Sequence, residues 1–154
     1  LNVYDKAAQW AGALSLLAMI CANGPEADII SYTTVILASV ACGRPEVAAN
    51  LYRVVIEVGL LRPWLSPWVL DLHGMPVEMA KLSVRAALAQ LRDAAAASRR
   101  VPGGNRLLII TGKGEHSADG IALVKRQITL MLQEEGPCLE VAEEVLGPGG
   151  TRNE

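Results

Sequence analysis

The sequence has few cysteines, few histidines and no long apolar segment, and each shortage excludes a class of protein. The three cysteines, Cys21, Cys42 and Cys138, show no Cys-x-x-Cys spacing, so we expect reduced thiols and neither a disulfide framework nor a zinc site. No apolar run is long enough to span a membrane, and we expect no membrane partner. The Gly-x-x-x-x-Gly-Lys-Ser/Thr spacing of a nucleotide-binding P-loop is absent, which argues against an NTPase.

The charges are nearly balanced over the whole chain but unevenly distributed along it. A net charge of -2 argues against a strongly basic nucleic-acid-binding protein. Between residues 81 and 126, however, nine basic residues stand against three acidic ones, and five glutamates lie between residues 134 and 144. This distribution is compatible with a polyanionic ligand, although for any single lysine or arginine a solvated helix face is the simpler explanation.

The first half of the chain, to about residue 64, has a helical pattern. Apolar segments rich in Ala, Leu and Val predict helices over residues 8–20, 31–42 and 45–58. Gly-Pro or glycine breaks separate them, and Pro45 is well placed at the first position of the third helix. Short helices with tight breaks form helical hairpins, which usually stack in arrays.

From residue 67 the pattern changes to alternating strands and helices. Residues 68–73 and 106–111 are short and apolar, as strands are, and residues 138–141 are a third candidate. Amphipathic helices are predicted over residues 76–97 and 119–135, the second with Asp119 as its N-cap. The order predicts a mainly parallel sheet with right-handed crossovers, and therefore an α/β fold with a β-α-β-α-β core preceded by helical hairpins.

The first histidine lies in a short motif at the end of the first predicted strand, Leu70-Asp71-Leu72-His73-Gly74. Residues two apart in a strand point to the same side, so Asp71 and His73 are expected to share one face. An aspartate beside a histidine can fix its tautomer, which makes His73 a candidate general acid or base. Gly74 permits a close approach of backbone or ligand. Taken alone, His73 is more often a hydrogen-bonded structural residue.

The second histidine lies in a glycine-rich motif after the second predicted strand, Thr111-Gly112-Lys113-Gly114-Glu115-His116-Ser117. Gly112 and Gly114 free the backbone to turn its N–H groups toward an anion, and the following helix adds positive potential. Lys113 supplies a charge, Ser117 a hydroxyl, and His116 a second group for phosphate contact or proton transfer. Asp71 is the one acid that we place beside His73, so we expect neither a metal nor another cofactor.

The segment of about residues 69–145 resembles the Smr (small MutS-related) domain. The resemblance lies in the two motifs, in their separation and in the helix that follows each of them. The resemblance implies a domain at residues 67–154 that folds as a two-layer α/β sandwich, binds nucleic acid and, in many members, cleaves it. It assigns Asp71 and His73 as the candidate catalytic pair and Gly112 and Gly114 as the glycine loop. The polar segment from Gly147 onward departs from the family pattern, so we expect the last strand to be missing or degraded.

The first half resembles the pentatricopeptide repeat. Ala13 over Ala48, Leu16 over Leu51 and Gly24 over Gly59 give a constant offset of about 35 residues. Residues 1–64 would then hold one partial and one near-complete repeat, with a generic helical hairpin as the alternative. In that family two residues of a repeat read one RNA base, and Asp28 and Thr33 match those positions.

The combined resemblance implies single-stranded RNA as the ligand and further repeats before this segment. It also implies an organelle, the plastid ahead of the mitochondrion. The chain begins at Leu1 without methionine, so we expect it to be a piece of a longer protein whose targeting segment lies outside it. The leading hypothesis is an endoribonuclease in which His73 moves protons and Asp71 orients it. The alternatives are an RNA-binding module without turnover and a DNA-nicking enzyme, and a pure protein-interaction role is least favoured.

Overall fold

The computed structural model describes residues 10–15, 17–19, 22, 27–97, 106–112 and 122–135. Its helices are α1 (Ile29–Ala41), α2 (Pro45–Val58), α3 (Val77–Ala96) and α4 (Leu123–Glu135). Its strands are β1 (Trp64–Ser66), β2 (Val69–Asp71) and β3 (Leu108–Ile110). Residues 10–15 and 17–19 are also helical. The fold is therefore a mixture of helices and a small sheet, and its described strands lie between residues 64 and 110.

Local sequence signals set the ends of the first two helices. The side chain of Asp28 caps α1 by accepting hydrogen bonds from the backbone N–H and the hydroxyl of Ser31, each at 2.8 Å. Pro45 is the first residue of α2, as the sequence predicts. Gly59 ends that helix in the left-handed conformation, with φ +81°.

Helices α1 and α2 form a helical hairpin, whose core extends into the second half of the chain. Cys42–Arg44 connect the two helices. Their shared apolar cluster includes two residues of α3, and its buried members are Ile36, Ala48, Tyr52, Val55, Met79 and Leu82. The proposed boundary near residues 64–67 is therefore crossed by apolar contacts. The division into two domains and the array of repeats stay predictions.

The sheet has the strand order β1-β2-β3. Strands β2 and β3 are parallel, with Asp71 opposite Ile110, which confirms the predicted parallel pairing. Strand β1 is antiparallel to β2, with Trp64 opposite Leu70, and the sequence analysis missed it. The strand has only three residues between Pro63 and Pro67, which is too short for an alternating pattern to be recognised. The predicted strand at 138–141 and the predicted N-cap Asp119 lie outside the described residues.

The core of the second half is formed by β2, α3 and α4. Leu70 and Leu72 are fully buried, and they pack with side chains of both helices: Ala80, Val84, Ala87, Ile128, Met131 and Leu132. Burying one such leucine contributes about 1.5–3 kcal/mol relative to leaving it exposed. Because α3 also supplies Met79 and Leu82 to the hairpin, it lies between the hairpin and the sheet. No helix in the described ranges is both long enough and apolar enough to cross a membrane.

Candidate functional site

Two strands end side by side, and their ends position both sequence motifs. Because β2 and β3 are parallel, their C-terminal ends meet at the same side of the sheet, which we call the site edge. The backbone N–H of Leu72 donates to the carbonyl of Ile110 at 2.7 Å, one residue beyond the last strand residue of β2. The first motif and the start of the second are therefore neighbours, as the sequence predicts.

His73 stands in a tight turn just past the end of β2. The N–H of Met75 donates to the carbonyl of Leu72 at 3.2 Å, which closes the turn with His73 and Gly74 in its middle. Gly74 has φ +72°, in the left-handed region that glycine adopts readily, and a Cβ there would meet nothing within 4 Å. The backbone conformation therefore favours glycine at this position. The close approach of another backbone segment to Gly74, which the sequence predicts, is not seen among the described residues.

The carboxylate of Asp71 holds both the backbone and the ring of His73. The two carboxylate oxygens lie 2.9 and 3.0 Å from Nδ1 of His73. Oδ1 also accepts the backbone N–H of His73 at 3.0 Å. The Asp71 side chain is 22% exposed, whereas the His73 side chain is 71% exposed. The predicted pair is thus in contact, with its carboxylate half-buried and its imidazole open to solvent.

This contact determines which ring nitrogen of His73 meets a ligand. A carboxylate at Nδ1 favours the tautomer with its proton on Nδ1. Proton exchange with a bound molecule would then take place at Nε2, on the opposite side of the ring. An exposed imidazole held in this way can act as an acid or a base toward a ligand at the site edge.

Gly112, the first glycine of the second motif, lies directly against His73. It has φ +79°, and a Cβ built on it would be 3.5 Å from the Cβ of His73. The sequence predicts that Gly112 helps to turn backbone N–H groups toward an anion, and nothing in the sequence indicates this contact with His73. Lys113, Gly114, His116 and Ser117 lie outside the described residues, so their roles stay predictions.

The two base-reading candidates belong to the helical hairpin. Asp28 is the N-cap of α1, and the hydrogen bonds from Ser31 lower the pKa of its carboxyl group below the usual value. Thr33 lies in the first half of α1 and is half-buried. Asp28 therefore has a structural role that the sequence analysis did not foresee, and base reading by these two residues stays a prediction.

A second candidate surface lies along α4, and the sequence indicates only its charges. An open groove beside the helix is lined by Lys125, Arg126, Thr129, Leu130 and Gln133. Spacings of three, four and eight residues put these polar side chains along one side of the helix, which is the signal that would have identified the surface. Two cations, a hydroxyl and an amide are groups that bind phosphate oxygens.

The described residues contain no group of three or more histidine, cysteine, aspartate or glutamate side chains placed to hold a metal ion.

Comparison with known proteins gives one family. Residues 70–151, more than half of the chain, match the family model described as Smr domain. The match begins within β2, contains both histidine motifs, and includes none of the hairpin helices. No curated protein and no solved structure gives a significant match to the chain.

Proposed function

Because the chain belongs to the Smr domain family, we propose that the site edge cleaves RNA, with His73 as the group that moves protons and Asp71 as the residue that orients it. The family is consistent with nucleic-acid binding or endonuclease activity. The observation that carries the finer proposal is the contact between Asp71 and Nδ1 of His73 at 2.9 Å, which presents an exposed imidazole beside Gly112.

The proposed reaction uses the ribose 2′-hydroxyl as the nucleophile. Nε2 of His73 takes the proton from the 2′-hydroxyl, whose oxygen forms a bond to the adjacent phosphorus. The bond from phosphorus to the 5′-oxygen breaks, and that oxygen takes up a proton, for which His116 is the candidate donor. Lys113 and the loop amides stabilise the charge that develops on the phosphate. The products carry a 2′,3′-cyclic phosphate and a 5′-hydroxyl.

The groove on α4 is proposed as the part of the binding surface that holds the RNA backbone next to the cleaved bond. Lys125 and Arg126 lie in the first turn of α4, the helix that follows the second motif in the chain. Glu135 at the other end of α4 pairs with Arg85 in the first half of α3. Lys125 is ten residues before Glu135, which is about 15 Å along the helix axis. Helices α3 and α4 share one apolar cluster. With Glu135 beside Arg85, a parallel arrangement of the two helices would bring the first turn of α4 toward the start of α3 and the site edge.

The second candidate is a nucleic-acid-binding module without turnover. The observation that favours it is the bond from the backbone N–H of His73 to Oδ1 of Asp71. This bond gives the carboxylate a role in shaping the turn, whether or not the imidazole reacts. A DNA-nicking enzyme is the third candidate, and the same residues would then act on a strand without a 2′-hydroxyl.

One experiment tests the mechanism and separates RNA cleavage from RNA binding. End-labelled single-stranded RNA is incubated in EDTA with the parent chain and with His73→Ala, and binding is measured in parallel by mobility shift. We expect cleavage by the parent chain alone, equal binding by both proteins, and a cyclic phosphate on the product. Cleavage that requires a divalent metal, or equal cleavage by both proteins, would contradict the mechanism. Equal binding without products would exclude RNA cleavage and leave the binding module and the DNA-nicking enzyme, which the cutting of DNA separates.

A single substitution in the substrate sharpens the test. If one nucleotide at the cleaved position is replaced by its 2′-deoxy form, the nucleophile is lost at that position alone. We expect cleavage there to stop while neighbouring positions are still cut. Continued cleavage at the deoxy position, or cutting of DNA with the same sequence, would favour the DNA-nicking alternative.

We propose further that the hairpin belongs to a longer array of pentatricopeptide-type repeats that selects the RNA, in a plant or algal plastid or mitochondrion. The short helices, the break at Gly43 and the 35-residue offset support this proposal. Selection of one sequence from a pool of random single-stranded RNA tests the first part. Fractionation of plastids and mitochondria, followed by immunodetection, tests the second.

A further inference from the structure

A buried polar contact lies within the apolar interface between the hairpin and α3. The hydroxyl of Tyr52 in α2 donates to Oγ of Ser83 in α3 at 2.9 Å. Tyr52 is 5% exposed and Ser83 is 1% exposed, and their neighbours include Val55, Met79 and Leu82. Burial raises the pKa of the Tyr52 hydroxyl, so this group stays protonated and can donate. The contact is therefore a directional bond among the apolar side chains of this interface.

Ser83 also contacts Met75, which lies next to the site edge. Its hydroxyl has one proton, with two acceptors in reach: the carbonyl of Met79 at 3.0 Å and Sδ of Met75 at 3.8 Å. By donating to Ser83, Tyr52 leaves the serine proton available to these two acceptors. Met75 is two residues after His73, and its N–H closes the turn in which His73 stands. A continuous series of contacts thus runs from Tyr52 through Ser83 and Met75 to the His73 turn.

We propose that Tyr52 is a positioning residue for His73. It fixes the register between α2 and α3 and, through Ser83 and Met75, the turn that presents the imidazole. The catalytic significance of this role rests on the proposed function, whereas the positioning itself does not. An apolar interface tolerates small sliding movements, whereas a hydrogen bond in a low-dielectric interior has a preferred geometry. The hairpin would therefore influence the geometry of the site edge from a distance, since the site residues described above lie on β2, on β3 and in the turns after them.

Tyr52→Phe is the variant that tests this role, because it removes the hydroxyl and keeps the buried ring. Ser83 keeps Met79 as an acceptor, so the variant is expected to fold. Ser39→Ala is the matched control. The hydroxyl of Ser39 is also buried, accepts a hydrogen bond from Nε1 of Trp10 at 2.9 Å, and lies within the hairpin. Tyr52→Phe removes one buried hydrogen bond, whereas Ser39→Ala removes the part-buried bond from Trp10 and the bond that Ser39 donates to the carbonyl of Val35 at 2.7 Å. Ser39 has no place in the series of contacts that leads to His73, so an equal or greater loss of stability in this variant should leave His73 unaffected.

The measurement is the ¹H–¹³C spectrum of the two histidine rings, with the His73 signal identified from His73→Ala. We expect Tyr52→Phe to shift or split the His73 signal. Ser39→Ala should leave this signal unchanged, even though its melting temperature falls by a similar or greater amount. An unchanged His73 signal in Tyr52→Phe, or equal changes in both variants, would overturn the proposal.

Cleavage and binding of single-stranded RNA give the second measurement. We expect Tyr52→Phe to lower the cleavage rate about tenfold with unchanged RNA affinity, because small displacements of a reacting group are costly. Ser39→Ala should cleave like the parent chain. If Tyr52→Phe shifts the ring signal but cleaves RNA as fast as the parent chain, Tyr52 positions His73 without affecting catalysis, and the catalytic part of the proposal is wrong. If the parent chain does not cleave at all, the proposed function fails, while the ring spectrum still decides whether Tyr52 positions His73.

Discussion

Gly112 lies against His73, so that a Cβ on the glycine would be 3.5 Å from the Cβ of the histidine. The two residues belong to different motifs on different strands, and the parallel pairing of β2 and β3 brings them together. Gly112 also has φ +79°, which a residue with a side chain adopts only with strain. Glycine is therefore favoured here by the backbone conformation, and an added Cβ would be in ordinary van der Waals contact with His73.

Gly112→Ala is predicted to disturb the site in addition to lowering stability. The left-handed backbone should cost about 1–2 kcal/mol in the free energy of unfolding, measured by chemical denaturation. The added methyl group contacts His73, so we expect a shifted His73 ring signal and slower RNA cleavage.

Gly43→Ala is the control for backbone strain. Gly43 has φ +69°, and a Cβ there would meet nothing within 4 Å. We expect a similar stability loss with an unchanged His73 signal and unchanged cleavage. An effect of Gly112→Ala on His73 no larger than that of Gly43→Ala would show that the contact has no functional consequence.

Asp71→Asn is predicted to separate the two roles of this side chain. Its amide oxygen can still accept the backbone N–H of His73, so we expect the turn and the melting temperature to be kept. The negative charge at Nδ1 is lost, and the cleavage rate should fall about 100-fold, the lower end of what acid–base catalysis contributes. RNA affinity, measured by fluorescence anisotropy, should not change. Full cleavage by Asp71→Asn would mean that the carboxylate serves the turn alone.

The ion pair between Arg85 and Glu135 is predicted to stabilise the packing of α3 and α4 in a pH-dependent way. The hydrogen bond from Arg85 lowers the pKa of Glu135 below its ordinary value of 4.5. Because the pKa of Glu135 is lower in the folded protein than in the unfolded chain, the ion pair stabilises the fold fully at pH values above the pKa of the unfolded chain. This stabilisation is lost as the pH falls through the pKa of the folded protein.

Because both side chains are more than 40% exposed, the pair should contribute no more than about 1 kcal/mol. A double-mutant cycle with Arg85→Ala and Glu135→Gln measures it. The coupling energy should be positive at pH 7 and near zero at pH 2. A coupling that is the same at both pH values would show that the charge on Glu135 is not its source.

Lys125→Ala and Arg126→Ala are each predicted to weaken RNA binding through the loss of a phosphate contact. Each should lower the salt dependence of binding, with a change of about 0.7 in the slope of log K against log salt concentration for a single strand. Arg92→Ala is the control, since it removes the same charge near the far end of α3. A change in slope as large for Arg92→Ala as for Lys125→Ala would point to the overall charge of the protein and not to the groove on α4.

The sequence by itself determined the helices and the two parallel strands. The segments predicted for α1, α2, α3, β2 and β3 agree with the structure to within two residues at either end. Their signals are local: apolar periodicity, Pro45 at the start of α2, and a glycine at its end. The contact between Asp71 and His73 was predicted from a strand that runs through both residues. In the structure the strand ends at Asp71, and the turn that follows, with the His73 N–H bonded to Oδ1, brings the ring to the carboxylate.

Only the tertiary structure decided the relations between distant segments. Strand β1 depends on pairing with β2, since three residues between prolines carry no pattern of their own. The placement of Gly112 on His73 and the bond between Tyr52 and Ser83 join elements that are far apart in the chain. Periodicity reports which face of an element is buried, whereas the partner of that face is selected by the packing of the whole chain.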